Sequence, residues 1–163
     1  LCVRVCAARL VVQQGDVVHR AEVLEHLFDR WQSENLVVNQ WFVMQATRPS
    51  ADCVSEVTAL THHAAFEWRN PNKVRSLISA FAGANPTAFH ALDGGGYRLL
   101  GDAVRRLQSD NPQIAARMLA PMTRWRRYDH GQEVMRGELE SIAALEGLSQ
   151  DVYEVVSRSL SES

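Results

Sequence analysis

The sequence predicts an all-α protein, an irregular solenoid-like array of about eight short antiparallel helices. Three observations predict it. Apolar residues recur at helical spacing in one segment after another. Three Asn-Pro pairs, Asn70-Pro71, Asn85-Pro86 and Asn111-Pro112, repeat a helix-start signal at close intervals. Asparagine caps well there, and proline lacks only an N–H that a first turn leaves unpaired anyway. No segment reads unambiguously as a strand. With 163 residues the chain can bury one sizeable core, and a single domain over 1–163 is the simplest division.

Residues 1–14 carry two patterns. Val3, Val5 and Ala7 alternate as in a strand, whereas Cys2, Cys6 and Arg9 share a helix face. From Arg20 the reading is single: Leu24, Leu27, Phe28 and Trp31 form a helical stripe. Val37 to Ala46 is apolar on nearly all sides, which predicts a helix buried between neighbours. Pro49 stops it, and Ser50 caps a third helix running to about Thr61. Val74, Leu77, Ile78 and Phe81 then fall at i, i+3, i+4 and i+7 after the Asn70 cap, and Gly83 ends that helix.

Asn85-Pro86 opens the next helix, anchored by Phe89. Asp93-Gly94-Gly95-Gly96 reads as a turn before a helix with Tyr97, Leu100, Val104 and Leu107 inward. Asn111-Pro112 starts a helix faced by Ile114, Met118, Met122 and Trp125, which Pro121 should kink. Met135, Leu139, Ile142 and Leu145 form a further stripe ending at Gly147. Ser149 caps the last helix, with Asp151 in its first turn and Val152, Val155, Val156 and Leu160 inward.

Composition bounds the function. Net charge is −2, which gives no general pull toward nucleic acid or an anionic membrane. No apolar run approaches the ~20 residues needed to span a bilayer. Lys73 is the only lysine among 17 basic residues. Cys2, Cys6 and Cys53 form no pairing framework and read as reduced, mostly buried thiols of a cytoplasmic protein. Arg4 and Arg9 interrupt the first apolar stretch, which does not read as a signal peptide.

Longer runs bring a family into view. NPNKVRSLISAFAGANPTAFHALDGGGYRLL, then NPQIAARMLAP, RWRRYD and the closing GLSQDVYEVVSRSL resemble the far C-terminal helical domain of the bacterial aminopeptidase N family, the zinc-dependent gluzincin aminopeptidases. LVVNQWFVMQATRPSADC resembles the same domain. The resemblance covers roughly residues 20 to 160 in order. Residues 1–18 match least and read as a truncated start of that domain. The resemblance implies that the catalytic domain lies upstream, that zinc belongs there, and that this chain alone is catalytically silent. It also implies a role: the helical domain closes over the catalytic domain, encloses a cavity above the zinc and restricts entry to peptides. The implied partners are therefore the catalytic domain of the same polypeptide and peptide substrates, with no nucleic acid and no membrane.

The motifs of chemistry agree with a non-catalytic piece. A zincin needs H-E-x-x-H, two histidines one turn apart and a glutamate to activate water, and the chain has none. The family's G-x-M-E-N segment is missing too. Glu22 and His26 lie at i, i+4, which is half a metal site and equally an ordinary helix pair. His62 and His63 are adjacent, so on a helix they point apart. No G-x-S-x-G elbow accompanies the serines. Gly94 to Gly96 lack the Lys-Ser or Lys-Thr of a phosphate loop. Trp125-Arg126-Arg127-Tyr128 can grip nucleic acid or can finish a helix, where arginines complement the dipole and aromatics fill a seam. The low net charge favours the second.

Arg75, Gln113 and Arg117 remain as candidates for lining the substrate cavity. Gln113 and Arg117 share a face one turn apart, and Arg124 lies near the same line. Arg75 is displaced from the Val74 stripe. Read from the residues alone, these are solvent-facing arginines or helix-to-helix ion pairs. The resemblance places the matching positions toward the cavity, where an arginine fork can hold a carboxylate or a carbonyl. The alternative from another class is a free-standing α-helical scaffold that binds a protein partner.

Overall fold

The computed structural model describes residues 2–14, 17–50 and 52–161. All regular structure among them is helical: eleven α-helices, one π-helical segment and one 3-10 segment. The chain divides into two compact units, Leu1–Asn85 and Pro86–Ser163.

The first unit holds α1 (Cys2–Gln14), α2 (Val17–Trp31), α3 (Asn35–Ala46), α4 (Cys53–Leu60), α5 (Pro71–Val74), a π-helical turn (Arg75–Ser79) and α6 (Ala80–Ala84). The two-pattern start is thus a helix. Helix α3 is the hub, packed by α1, α2, α4, α5, the π turn and α6. Its sequence explains this: Val37, Val38, Trp41, Phe42, Met44 and Ala46 are buried around most of its circumference. Phe28, Trp41, Phe42, His63 and Phe66 then meet in tilted and edge-to-face pairs, the geometry that ring quadrupoles prefer. Trp41 Nε1 donates to the Leu24 carbonyl at 2.9 Å, so the polar tip of the indole is satisfied inside the cluster.

Several helix boundaries differ from the expected ones for local reasons. Helix α3 keeps its expected end at Ala46, ahead of Pro49, with Thr47 as its C-cap. Ser50 does not cap α4. It lies three residues before the helix, and Asp52 holds the N-cap position. Asn70 caps as expected: its side chain accepts from Asn72 N–H and Lys73 N–H ahead of Pro71. Val74, Leu77, Ile78 and Phe81 are all buried, yet the helix carrying them passes through a π turn. Gly83 does not end that helix. It sits inside α6, and Asn85 is the C-cap.

The second unit holds α7 (Pro86–Phe89), α8 (Gly95–Leu107), α9 (Pro112–Met118), a 3-10 helix (Met122–Arg127), α10 (Gln132–Ala143) and α11 (Gln150–Ser161). Helix α8 packs on α7, α9 and α10, while α11 packs on α9, α10 and the 3-10 helix. Tyr97, Leu100, Val104 and Leu107 are buried on α8, as are Met135, Leu139 and Ile142 on α10. Gly94, at φ +68°, makes the turn into α8, and Asp93 Oδ1 accepts from Gly95 N–H at 3.1 Å. Pro121 does more than kink: α9 stops at Met118 and a separate 3-10 helix follows. A proline in a helix interior removes a hydrogen bond and crowds the preceding turn, which accounts for the break. Helix α10 ends at Ala143, ahead of Gly147, so Leu145 lies beyond it. Ser149 precedes α11, its carbonyl accepting from Tyr153 N–H at 2.9 Å, but its buried hydroxyl finds no partner.

His90 gives this unit a pH dependence. Its Nδ1 lies 2.9 Å from the Tyr97 hydroxyl and its ring stacks on Tyr128 at 4.2 Å. Burial pushes its pKa below the usual histidine range. The unfolded chain then binds the extra proton more readily than the folded one, so the stabilisation is complete above the unfolded pKa and declines as pH falls through it. Between about pH 7.5 and about pH 5.5, His90→Gln should therefore lose less thermal stability than the wild type, read as Tm by circular dichroism. Equal losses in the two proteins would remove His90 as the cause.

Candidate functional site

Arg75 is the first residue of the π turn, in the first unit, and its side chain is exposed. The neighbouring residues anchor the segment: Ser76, Leu77 and Ile78 are buried, and the Ser76 hydroxyl donates to the Asn72 carbonyl. A π turn admits one extra residue per hydrogen-bonded ring and re-aims the side chains around it, and such turns are frequent at functional sites. Gln113 and Arg117 belong to the second unit. They stand exposed, one turn apart, on the face of α9 beside the buried stripe of Ile114 and Met118. Arg75 and Arg117 make no ion pair or side-chain hydrogen bond with any described residue, unlike Arg20 and Arg48, which both pair with Glu56 at 3.4 and 2.6 Å. Arg124, on the 3-10 helix, is exposed as well and borders a cleft. It lines that cleft with Arg126, Arg127 and Arg158.

His63, Trp125 and Arg126 have partners within the scaffold. Among the described residues no group of three or more His, Cys, Asp and Glu is placed to hold a metal ion. His63 Nδ1 accepts from Ala65 N–H at 3.1 Å and its ring packs against Phe28 and Trp41. Trp125 is buried, and its Nε1 donates to the Ser159 carbonyl at 3.4 Å. Arg126 donates to the carbonyls of Ser159 at 2.6 Å and Leu160 at 3.2 Å. It therefore complements the negative end of a dipole, that of α11.

The thiols differ from one another. Cys53 is fully buried and Cys6 is exposed, which corrects the expectation of mostly buried cysteines for Cys6. The Cys2 side chain lies outside the described residues. Burial first, and the Glu56 carboxylate second, push the Cys53 thiol up to about 11. It is consequently a poor nucleophile at neutral pH. Lys73 is also buried, which lowers its pKa, and its ammonium lies 5.8 Å from the centre of the Phe42 ring.

Comparison with known proteins extends along the whole chain. A family model described as a domain of unknown function, DUF3458_C, ARM repeats, matches residues 4–161. Aminopeptidase N of Escherichia coli strain K12 is 45% identical over 142 residues, 86% of this chain and 16% of that protein. Aminopeptidase N of Haemophilus influenzae is 38% identical over 155 residues, 94% of this chain and 18% of that protein. A crystal structure of Legionella pneumophila aminopeptidase A in complex with aspartic acid superposes with a TM-score of 0.90 at 31% identity, covering 98% of this chain and 18% of that one. The chain thus spans only 16% and 18% of the length of the two aminopeptidase N relatives. With the family model and these relatives matching nearly end to end, the chain belongs to the DUF3458_C family of helical ARM-repeat domains and is homologous to the C-terminal helical part of aminopeptidase N.

Proposed function

We propose that this chain is the C-terminal helical domain of a bacterial, cytoplasmic zinc aminopeptidase, and that it caps the active-site chamber and governs which peptides enter. The observation that carries the reading is the match to aminopeptidase N over 86% of this chain. The described residues offer no donor set for zinc. In this reading the metal belongs to the catalytic domain of the same polypeptide, where it would activate the water that attacks the scissile carbonyl. No described helix is long and apolar enough to cross a membrane.

Arg75, Gln113 and Arg117 are the side chains proposed to face the peptide path. Their exposure and lack of partners among the described residues support the role, because a guanidinium without an ion pair keeps its fork available for a carboxylate or a carbonyl. They would position the peptide, while bond cleavage stays with the catalytic domain. In the full-length enzyme, Arg75→Ala and Arg117→Ala should each lower kcat/KM for tri- and tetrapeptides by about tenfold, the worth of one charge-assisted hydrogen bond. A chromogenic amide of a single amino acid, too short to reach them, should be cleaved as before. Unchanged kcat/KM on the longer peptides would overturn the assignment.

A further inference from the structure

The arginine cleft of the second unit has no part in that reading. It encloses about 550 Å³ and is lined by Thr123, Arg124, Arg126, Arg127, Arg158 and residues of α11 that include Glu154 and Val155. Two distant stretches build it, the 3-10 helix and the last turns of α11. The Ser159 hydroxyl, which donates to the Thr123 carbonyl at 3.2 Å, and Arg126 lock the two together. Arg126 is thereby occupied. Arg124, Arg127 and Arg158 are exposed and make no side-chain hydrogen bond or ion pair with any described residue. Arg124 also departs from helical geometry, at φ −94° and ψ 18°, within an otherwise helical segment. Three guanidiniums without a partner among the described residues thus surround one concavity on a chain whose net charge is −2.

We propose that this cleft docks an acidic peptide segment of another polypeptide, held through its aspartate and glutamate carboxylates. Planar guanidinium forks match carboxylates in bidentate geometry. The alternatives fit less well for reasons visible in the site. Single-stranded nucleic acid needs open aromatic faces for its bases. Here Trp125 is buried with Arg126 over its ring at 4.1 Å, and Tyr128 is already stacked on His90. A compact phosphate dianion favours backbone N–H groups at a helix N-terminus. This cleft sits instead at the C-terminal, negative end of α11, whose Ser159 and Leu160 carbonyls point at Arg126. Glu154 on the rim also opposes a uniform polyanion, while an acidic segment with neutral residues between its carboxylates accommodates it. Val155 adds an apolar contact for the aliphatic parts of such a segment.

The test uses the full-length protein that carries this chain and a peptide of alternating aspartate, serine and glutamate with fluorescein on its amino terminus, read by fluorescence anisotropy. At about 20 mM salt, where screening is weak, the peptide should bind, and binding should weaken as salt is raised. Charge reversal of Arg127 and Arg158 together (R127E, R158E) should weaken binding by at least about tenfold, consistent with up to about fivefold per exposed ion pair and added repulsion. Glu154→Gln should tighten it, an outcome that a misfolded variant cannot imitate. Absence of binding, binding that both variants leave unchanged, or a labelled single-stranded oligonucleotide binding as tightly as the peptide would each overturn the proposal.

Discussion

Gly96→Ala should destabilise the second unit by about 3 kcal/mol or more, lowering Tm by roughly 10 °C in a thermal melt. A Cβ at this position would lie 2.5 Å from the Phe89 carbonyl oxygen and 2.7 Å from Phe89 Cα. Both are backbone atoms, so no rotamer change relieves the clash. Helix α7 would have to withdraw from α8, pulling the fully buried Phe89 ring away from Tyr97, with which it makes an edge-to-face contact at 5.2 Å. The control is Gly83→Ala in the first unit. Gly83 lies within α6 with nothing within 4 Å of an added Cβ. That substitution should stabilise by about 0.5–1 kcal/mol, the helix-propensity difference between the two residues. If the two variants shifted Tm equally, close backbone approach would not be the reason for the glycine at 96.

Asn85→Asp should be the other severe change. Asn85 is 1% exposed, and its Nδ2 donates to the carbonyls of Ala46 at 3.0 Å and Arg48 at 2.6 Å. One amide thus ties the end of α6 to the end of α3. Asn85→Ala removes a donor from two acceptors that keep other partners: Arg48 O still accepts from Ser50 N–H at 2.9 Å, and Ala46 O from the Cys53 thiol at 3.5 Å. The expected loss is about 2 kcal/mol. Asn85→Asp turns the donor into an acceptor, buried and facing two carbonyl oxygens. A loss of about 3–5 kcal/mol follows from an uncompensated buried charge. Urea unfolding of the two variants checks the order, and an aspartate variant as stable as the alanine one would refute it.

The fold was legible wherever one helix buries one stripe. Leu27 on α2, the Val74 to Phe81 series and the Tyr97 to Leu107 series all report their own burial through spacing. What spacing could not show was the backbone between the stripes. The π turn at Arg75–Ser79 leaves Val74, Leu77, Ile78 and Phe81 inward, so the apolar pattern is silent about it. Punctuation misled where tertiary packing decides the ends. Gly83 and Gly147 signal stops, yet one helix runs past the first and another finishes before the second. Asn85 reads as the start of α7 and also serves α3 through bonds spanning 37 and 39 residues.

The candidate site divides in the same way. Gln113 and Arg117 share a helix face by spacing alone, and the structure leaves that face exposed. The choice of these residues over other exposed arginines came from family resemblance, which local chemistry does not supply. The second arginine cluster shows the limit more plainly. Arg124, Arg126 and Arg127 are close in sequence, but Arg158 joins them only because α11 folds back against the 3-10 helix. Nothing in a linear reading marks it as their neighbour.

The single lysine of the chain has a practical consequence. Lys73 is buried beside Phe42 on the segment that leads into the π turn. A protease that cuts only after lysine therefore has one address here, and it is closed in the native state. Where reclosing is faster than cutting, the cleavage rate measures how often that segment opens. The chain thus contains its own one-site reporter of opening in the first unit, read as two fragments on a gel.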